Sequence, residues 1–284
     1  MKESWQFAVL PDVQLGRELF AINSYDPWWL FLRRIPQKEK AVGEAIAERL
    51  KRAVEWINLQ PIEFVVSIGN LTDSGSPEQL RRTSEICSEF KKPFIPLLGN
   101  HDLWPYRREQ GKMKVIWEAE RAWSVDEFES YFPDWKNSPC FENFKAQGKG
   151  LQNYTFTVKE IRFVVVDNNN RRKAPFGLPE QAGWAKLYSE SKEWLTDEVL
   201  SSQERIVILS HAPLAKSLLK DLQKRTDKKF LTNISGHTHK RTEWRYRKKK
   251  GEIVRITTNA IYHEPLILLA HVSLRGIGFE YQRI

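Results

Sequence analysis

The chain has 284 residues, a formal net charge of +9 and a hydrophobic content of 41%. This length and apolar content can bury a substantial core, in one large domain or two small ones. No run of about 18 or more apolar residues occurs, which excludes a transmembrane helix, and the first residues lack the basic and apolar regions of a secretory signal. We therefore expect one soluble, cytoplasmic domain over 1–284 with no membrane partner, although a secreted chain that had lost its signal would look the same.

The basic charge favours anionic partners in general, and it does not choose among nucleotides, phospholipid headgroups and nucleic acids. The two cysteines, Cys87 and Cys140, match no zinc or redox spacing, so we expect two buried or half-buried thiols rather than a disulfide framework.

Short apolar runs rich in Val, Ile and Phe predict buried strands. They lie at residues 7–10, 64–68, 94–98, 161–166 and 206–209. Helical spacing of apolar residues predicts a helix over 39–58, and Ser76 followed by Pro77 predicts the start of a second helix over 77–90. The first half of the chain thus has the order β-α-β-α-β.

The second half changes to antiparallel strands. They are expected at 154–158, 161–166, 242–247, 253–257, 266–273 and 276–281. The basic run at 245–250 is interpreted as a solvated hairpin turn rather than a nucleic-acid patch. The stretch 103–150 is rich in tryptophan and shows no clear strand. We interpret it as an insertion over one end of the sheets, which either packs or forms a lid that stacks on substrate.

Polar residues follow five of the apolar segments, and four of the six histidines are among them. The candidates are Asp12 and Gln14 after 7–10, Asn70 and Asp73 after 64–68, Asn100 and His101 after 94–98, His211 after 206–209, and His237 and His239 after 230–235. Strand ends in one sheet lie side by side, so we expect these side chains to converge. Their imidazole, carboxylate and amide groups suit Mn, Fe, Zn or Co better than Ca or Cu(I).

Local spacing adds two expectations. Asp12 and Gln14 are two residues apart, as are His237 and His239, and in extended backbone this spacing directs both side chains to one side. The glycines at 69, 99 and 236 let the backbone turn sharply and approach closely.

The set of motifs resembles the calcineurin-like metallophosphoesterases. The motifs are Asp-x-Gln at 12–14, Gly-Asn-x-x-Asp at 69–73, Gly-Asn-His-Asp at 99–102, the lone His211, and Gly-His-x-His at 236–239. Each motif is weak alone, whereas five in the family's order are a strong signal. The resemblance implies a four-layer α/β/β/α sandwich of two mixed β-sheets flanked by helices, in the α/β (α+β) class.

The resemblance also implies a binuclear centre of two divalent metal ions. Asp12, Gln14 and His239 would hold one ion, Asn100, His211 and His237 the other, and Asn70 would bridge them. A metal-bound hydroxide would attack phosphorus in line, as in general two-metal hydrolysis. His101 would protonate the leaving oxygen or stabilise its charge, and Asp73 would orient its imidazole. His263 and His271 belong to no motif and are interpreted as ordinary surface or core histidines, although His263 could line the pocket rim.

Two positions depart from the family pattern. Gln14 replaces the usual His, as in the manganese-dependent ADP-ribose and CDP-alcohol diphosphatases, which this stretch is similar to. Asn70 replaces the bridging Asp and offers one neutral oxygen instead of a charged carboxylate. Three hypotheses account for Asn70: an engineered substitution that traps a bound state, a natural variant with weaker or single-metal occupancy, or a chain that has lost catalysis and serves as a scaffold.

The favoured function is a phosphohydrolase for a small phosphorylated or nucleotide-like substrate, with phosphodiester or diphosphate bonds preferred. A non-catalytic interaction module on the same fold is the alternative from another class. A nuclease of the family is a third hypothesis, which would use the basic segment at 245–250. The retention of His101 and Asp73, which have no ligand role in a scaffold, favours an enzyme.

Overall fold

The structure is a computed structural model that describes residues 4–16, 38–73, 75–103, 106–109, 112–115, 125–137, 141–147, 151–169, 187–226, 230–248 and 251–284. In chain order its helices and strands are β1 (Trp5–Leu10), α1 (Lys38–Asn58), β2 (Val65–Ser67), α2 (Pro77–Cys87), β3 (Phe94–Ile95), β4 (Tyr106–Glu109), β5 (Lys112–Val115), α3 (Val125–Ser130), β6 (Glu142–Gln147), β7 (Asn153–Val158), β8 (Ile161–Val166), α4 (Ser189–Ser201), β9 (Arg205–Ser210), α5 (Lys216–Arg225), β10 (Phe230–Ser235), β11 (Thr242–Lys248), β12 (Gly251–Thr257), β13 (Leu266–Ser273) and β14 (Gly276–Arg283). None of the helices in these ranges combines the length and the apolar character that crossing a membrane requires.

Within the described residues the strands form two large mixed sheets and a small hairpin of β4 and β5. The five-stranded sheet has the order β14-β13-β1-β2-β3, and the seven-stranded sheet has the order β11-β12-β10-β9-β8-β7-β6. β1, β2 and β3 are parallel, as are β8, β9, β10 and β12. The predicted sandwich of two mixed sheets flanked by helices is confirmed.

The start of α2 follows its predicted cap. The Ser76 side chain accepts a hydrogen bond from the backbone N–H of Gln79 at 3.3 Å, and Pro77 occupies the first turn, where its missing N–H costs nothing. The helix ends at Cys87 rather than at residue 90 as predicted. Cys87 is buried against the core, and burial raises the pKa of its thiol far above the ordinary value.

Alternating residues of the seven-stranded sheet face two different cores. On β8, Phe163 and Val165 pack into the main core with β1 and β2, whereas Val164 and Val166 pack into a second core with α4 and α5. This alternation is the period of two that strands impose on their side chains. Strands such as β8 and β9, which are buried on both faces, need apolar residues on both faces, and this explains their apolar runs.

An aromatic cluster joins the two sheets, and Phe64 lies at its centre. The Phe64 ring stacks on Phe7 of β1 at 5.0 Å and meets the edge of Phe163 of β8 at 5.3 Å. It also meets Phe156 of β7 edge-on at 6.0 Å. Each of these rings is fully buried. Such pairs add about 0.5–1.5 kcal/mol each beyond the burial of area, so the cluster fixes the distance between the sheets.

The expectation of no clear strand at 103–150 was wrong. β4, β5, α3 and β6 lie in this stretch, and β6 is hydrogen-bonded to β7 at the edge of the seven-stranded sheet. β6 is short of large apolar residues because it is an edge strand with an exposed face, and it therefore lacks the apolar run that identified the other strands. Trp135 packs on Tyr154 at 4.8 Å and on Phe144 at 5.5 Å, whereas Trp104, Trp117 and Trp123 lie outside the described residues.

Residues 245–248 of the basic run lie on β11, which pairs with β12 as an antiparallel neighbour, whereas Lys249 and Lys250 of the predicted turn lie outside the described residues. Arg247 forms an ion pair with Glu252 at 2.7 Å, and Arg245 pairs with Glu243 and Glu252. Part of the basic charge is therefore neutralised within the hairpin.

We predict that Phe64→Ala lowers the free energy of unfolding by about 3–5 kcal/mol, because it opens a cavity between rings that cannot collapse together. Phe64→Leu should cost less. Leu59→Ala is the control, since the Leu59 side chain is 82% exposed, and it should change stability little. Chemical denaturation followed by circular dichroism measures all three, and equal losses for Phe64→Ala and Leu59→Ala would contradict the role of the cluster.

Candidate metal centre

The predicted site residues converge where the ends of β1, β2 and β3 meet the ends of β9 and β10. The His211 ring crosses between the sheets, with Nδ1 at 2.9 Å from the carbonyl oxygen of Ile68. The backbone N–H of Gly236 donates to the carbonyl of His211 at 2.8 Å. The backbone N–H of Gln14 donates to the carbonyl of Asn70 at 2.8 Å. These bonds bring four of the five motifs directly together.

Three side-chain atoms of Asn100, His211 and His237 form a triangle. Asn100 Oδ1 lies 2.8 Å from His211 Nε2 and 3.2 Å from His237 Nδ1, and the two ring nitrogens are 3.2 Å apart. Because His211 Nδ1 faces a carbonyl oxygen, that nitrogen carries the ring hydrogen and Nε2 presents a lone pair. Three atoms that can donate lone pairs thus face one another.

Asp12 contacts both Asn70 and His239. The carboxylate of Asp12 is fully buried, and its Oδ1 is 3.6 Å from His239 Nε2. The Tyr262 hydroxyl lies 2.8 Å from His239 Nδ1, so it fixes the orientation of the ring. The backbone N–H of His237 donates to Asp12 Oδ2 at 3.1 Å. Gln14 is also fully buried.

Four of the predicted ligands have left-handed backbone conformations. The φ angles are 50° at Gln14, 53° at Asn70, 67° at His237 and 56° at His239. The expectation of extended backbone at these pairs was therefore wrong, because β1 and β10 end before them and the chain turns. A non-glycine residue in this region is uncommon and is strained unless its surroundings hold it there. Here the motif loops impose that conformation on the ligands.

Two motif glycines permit the close packing of these loops. A Cβ at Gly99 would overlap with the backbone nitrogen and Oδ1 of Asn70. A Cβ at Gly236 would overlap with Oδ2 of Asp12. Glycine is required at both positions because the ligands themselves occupy the space.

His101 lies beside the triangle and is anchored by Asp73. Its Nδ1 is 2.8 Å from the backbone carbonyl oxygen of Asp73 and 3.5 Å from the carboxylate Oδ1. The nearer contact is thus to the backbone rather than to the carboxylate that the resemblance implies. The His101 side chain is 18% exposed, whereas that of Asp73 is fully buried. Its imidazole is therefore accessible at the surface of the centre.

Asp102 was not singled out from the sequence, yet it connects two of the motif loops. Its Oδ1 accepts hydrogen bonds from the backbone N–H of Thr72 at 2.8 Å and from the Thr72 hydroxyl at 2.9 Å. Its Oδ2 accepts from the N–H of Gly99 at 2.9 Å. Burial raises the pKa of Asp102 to about 6, against the lowering effect of these hydrogen bonds. The residue positions the loops that carry Asn70 and Asn100.

Two asparagines after β8 were also missed. Asn168 donates to the carbonyl of Ala212 at 2.7 Å and accepts from its N–H at 3.1 Å, which holds the loop after His211. Asn169 donates to the carbonyl of Leu98 at 3.0 Å, just before Gly99. Both follow an apolar strand directly, and this signal, which identified the other motifs, could have found them.

The remaining histidines differ in their relation to the centre. The His263 ring lies 6.2 Å from that of His239 and 4.2 Å from that of Tyr262, so it is at the rim. His271 lies on β13 and is 3.4 Å from Glu280.

The imidazoles of the triangle are held in their neutral, lone-pair form. Burial, followed by the charge of His211, lowers the pKa of His237 to about 3. Burial also lowers the pKa of His211. Burial alone would raise the pKa of Asp12, but the neighbouring His239 imidazole lowers it instead. Neutral imidazole and ionised carboxylate are the forms that bind metals.

The side chains of the centre fit a divalent transition metal if amide oxygens are counted among the ligands. No group of three or more His, Cys, Asp or Glu side chains within the described ranges is arranged to hold an ion without other residues. Ligand atoms about 2.0–2.2 Å from one ion lie about 2.8–3.6 Å apart in octahedral or tetrahedral geometry. The triangle has edges of 2.8, 3.2 and 3.2 Å. Asn100, His211 and His237 therefore fit one cation.

Comparison with known proteins identifies the family of the chain. A family model described as calcineurin-like phosphoesterase matches residues 6–241. The chain belongs to the calcineurin-like phosphoesterase family. Members of this family are phosphoester hydrolases that use a dimetal centre. No curated protein matches the sequence.

Two solved structures share the calcineurin-like fold. A protein from Staphylococcus aureus named as a 5′-nucleotidase superposes with a TM-score of 0.52 at 12% identity, over 99% of this chain and 54% of its own. A purple acid phosphatase from yellow lupin (Lupinus luteus) gives a TM-score of 0.52 at 11% identity, over 100% of this chain and 52% of its own. The chain spans about half the length of both proteins. At these identities the likeness shows the fold alone.

We predict that Asp102→Asn lowers the free energy of unfolding by about 2–4 kcal/mol, because an amide N–H₂ group would face a buried N–H donor. Asp134→Asn changes an exposed carboxylate and should have little effect. Thermal and denaturant unfolding measure both variants. If Asp102→Asn is as stable as Asp134→Asn, Asp102 does not hold the two loops.

Proposed function

We propose that this chain is a metal-dependent phosphohydrolase that cleaves phosphodiester or nucleotide-like diphosphate bonds. The observation that carries the proposal is the triangle of Asn100 Oδ1, His211 Nε2 and His237 Nδ1, whose edges of 2.8–3.2 Å suit a cation, with the accessible imidazole of His101 beside it. The family to which the chain belongs supports the same class of reaction.

Some residues of the centre would bind metal ions, and another would transfer a proton. Asn100, His211 and His237 would hold one ion, and Asp12, Gln14 and His239 would face a second. Bound divalent cations neutralise charge on phosphoryl oxygens and lower the pKa of water, which is the chemistry that the centre needs.

His101 is the residue that we assign to proton transfer. The contact of its Nδ1 with the Asp73 carbonyl oxygen places the ring hydrogen on Nδ1. A second proton, carried on Nε2 of the doubly protonated ring, is then the one that goes to the leaving oxygen. The buried carboxylate of Asp73 lies 3.5 Å from Nδ1.

Two features of the sequence favour a particular class of substrate. Gln14 in place of His is similar to the manganese-dependent ADP-ribose and CDP-alcohol diphosphatases, which favours nucleotide-like diphosphates. The net charge of +9 favours an anionic substrate in general. A nuclease is disfavoured because Arg245 and Arg247 are engaged with Glu252 in their own hairpin. Manganese or iron as the ion and a cytoplasmic location stay predictions.

The experiment is turnover of a chromogenic bis-aryl phosphodiester and of ADP-ribose with added Mn²⁺. We expect hydrolysis that a chelator abolishes and that Mn²⁺ restores. A protein that retains metal but hydrolyses no phosphoester across a broad panel would be a scaffold on this fold rather than an enzyme.

We predict that His101→Ala lowers turnover by about a hundredfold or more, which is the usual scale for the loss of a general acid, and leaves metal content unchanged. The physical reason is that Asn100, rather than His101, faces the ring nitrogens of the triangle. His271→Ala is the matched control, because this histidine lies on β13 beside Glu280, away from the motif loops. Loss of metal in the His101→Ala variant would show that His101 is a ligand instead.

A further inference from the structure

The orientation of the Asn70 amide is fixed by its neighbours. The backbone N–H of His101 donates to Asn70 Oδ1 at 2.9 Å, and Asn70 Nδ2 donates to Asp12 Oδ1 at 3.1 Å. The side chain is buried, with the residue 1% exposed. If the amide rotated by half a turn, its N–H₂ would oppose the His101 N–H and its oxygen would oppose the Asp12 carboxylate. Both new contacts would be repulsive, so the observed orientation is the stable one.

Asn70 therefore presents a hydrogen-bond donor to Asp12. An amide binds cations through its oxygen, because its nitrogen carries two hydrogens and no available lone pair. The oxygen of Asn70 is engaged by His101 and lies against Gly99, while the N–H₂ faces Asp12. No lone pair of this residue is directed towards Asp12.

The two halves also differ in how well their polar atoms are satisfied. The Asp12 carboxylate receives hydrogen bonds from Asn70 Nδ2 and from the His237 backbone N–H, and His239 Nε2 approaches it at 3.6 Å. Its charge is thus stabilised by the protein itself. In the triangle, by contrast, Asn100 Oδ1 faces the lone pair of His211 Nε2 at 2.8 Å, and these two atoms need either a cation or a ring hydrogen on His237 Nδ1, which lies 3.2 Å from both.

We propose that the chain binds one divalent cation tightly through Asn100, His211 and His237, and that the Asp12 side binds a second cation only weakly because the Asn70 amide donates a hydrogen bond to the carboxylate that would bind it. Two divalent ions would bring four positive charges, and Asp12 is the single carboxylate among the predicted ligands. The proposal concerns the centre on which the proposed function rests. Its test measures bound metal rather than turnover, so the two can fail separately.

The first experiment compares histidine variants of the chain that keep Asn70. Each protein is loaded with Mn²⁺ and passed through gel filtration. We expect about one bound ion per chain in the unmodified protein and in His239→Ala. We expect none in His211→Ala, because only this substitution removes a ligand of the triangle. Elemental analysis gives the stoichiometry. Two retained ions in the unmodified protein, or loss of the ion from His239→Ala with retention in His211→Ala, would overturn the proposal.

The second experiment restores a carboxylate with Asn70→Asp. We expect about two retained ions per chain, because the new oxygen faces Asp12 and adds the missing negative charge. Without metal, the paired carboxylates should repel, so the melting temperature should fall in chelator and rise with Mn²⁺ by more than in the unmodified protein. Asn143→Asp makes the same charge change at an exposed position on β6 and should retain about one ion. A stoichiometry for Asn70→Asp equal to that of Asn143→Asp would overturn the role of Asn70.

Discussion

The buried carboxylate of Asp12 connects the loops of both sheets, and the arrangement of the centre depends on it. Asp12 follows β1 of the five-stranded sheet, and it accepts the N–H of His237, which follows β10 of the seven-stranded sheet. It also accepts the amide of Asn70. Its own backbone carbonyl accepts the N–H of Ile261. One side chain thus sets the distance between the loops, and Gly236 is needed because a Cβ there would overlap with this carboxylate.

The strain in these loops is supported by the sandwich beneath them. Left-handed backbone at a non-glycine residue costs of the order of 1–3 kcal/mol, and Gln14, Asn70, His237 and His239 all adopt it. Such residues persist only where the surroundings leave no alternative. The aromatic cluster around Phe64 holds the sheets at a fixed distance, and the hydrogen bonds of Asp102 hold two of the loops. The core therefore maintains the ligands in conformations that an isolated loop would not keep.

The sequence predicts those features that depend on local pattern. The bounds of β8 and β13 agree with the apolar runs at 161–166 and 266–273, because buried strands need unbroken apolar residues. The convergence of Asp12 and Asn70 also follows, since they come just past the neighbouring parallel strands β1 and β2. The convergence of Asp12 with His237 does not follow from that argument, because β1 and β10 belong to different sheets. β6 was missed, because an edge strand with an exposed face carries no such run.

Contacts between side chains that are distant along the chain could not be predicted from the sequence. The contact of Tyr262 with His239 joins segments that no local pattern relates. The same holds for the bonds of Asp102 to Thr72 and Gly99, which explains why a residue inside a recognised motif had no predicted role. The left-handed φ angles depend on packing between loops, so spacing along the chain suggested extended backbone instead.

The Asn70 amide, in place of a carboxylate, changes how strongly metal binding is coupled to folding. A carboxylate at this position would need positive charge between itself and Asp12, which would link the stability of the fold to the second cation. The amide replaces that cation with a hydrogen bond, so the Asp12 side is stable through the protein's own donors. The atoms of the triangle lie 2.8–3.2 Å apart, so a cation bound there would hold three loops together. The backbone N–H of His101 donates to the Asn70 oxygen, so the amide that holds Asp12 also holds the loop of the residue that we propose for proton transfer.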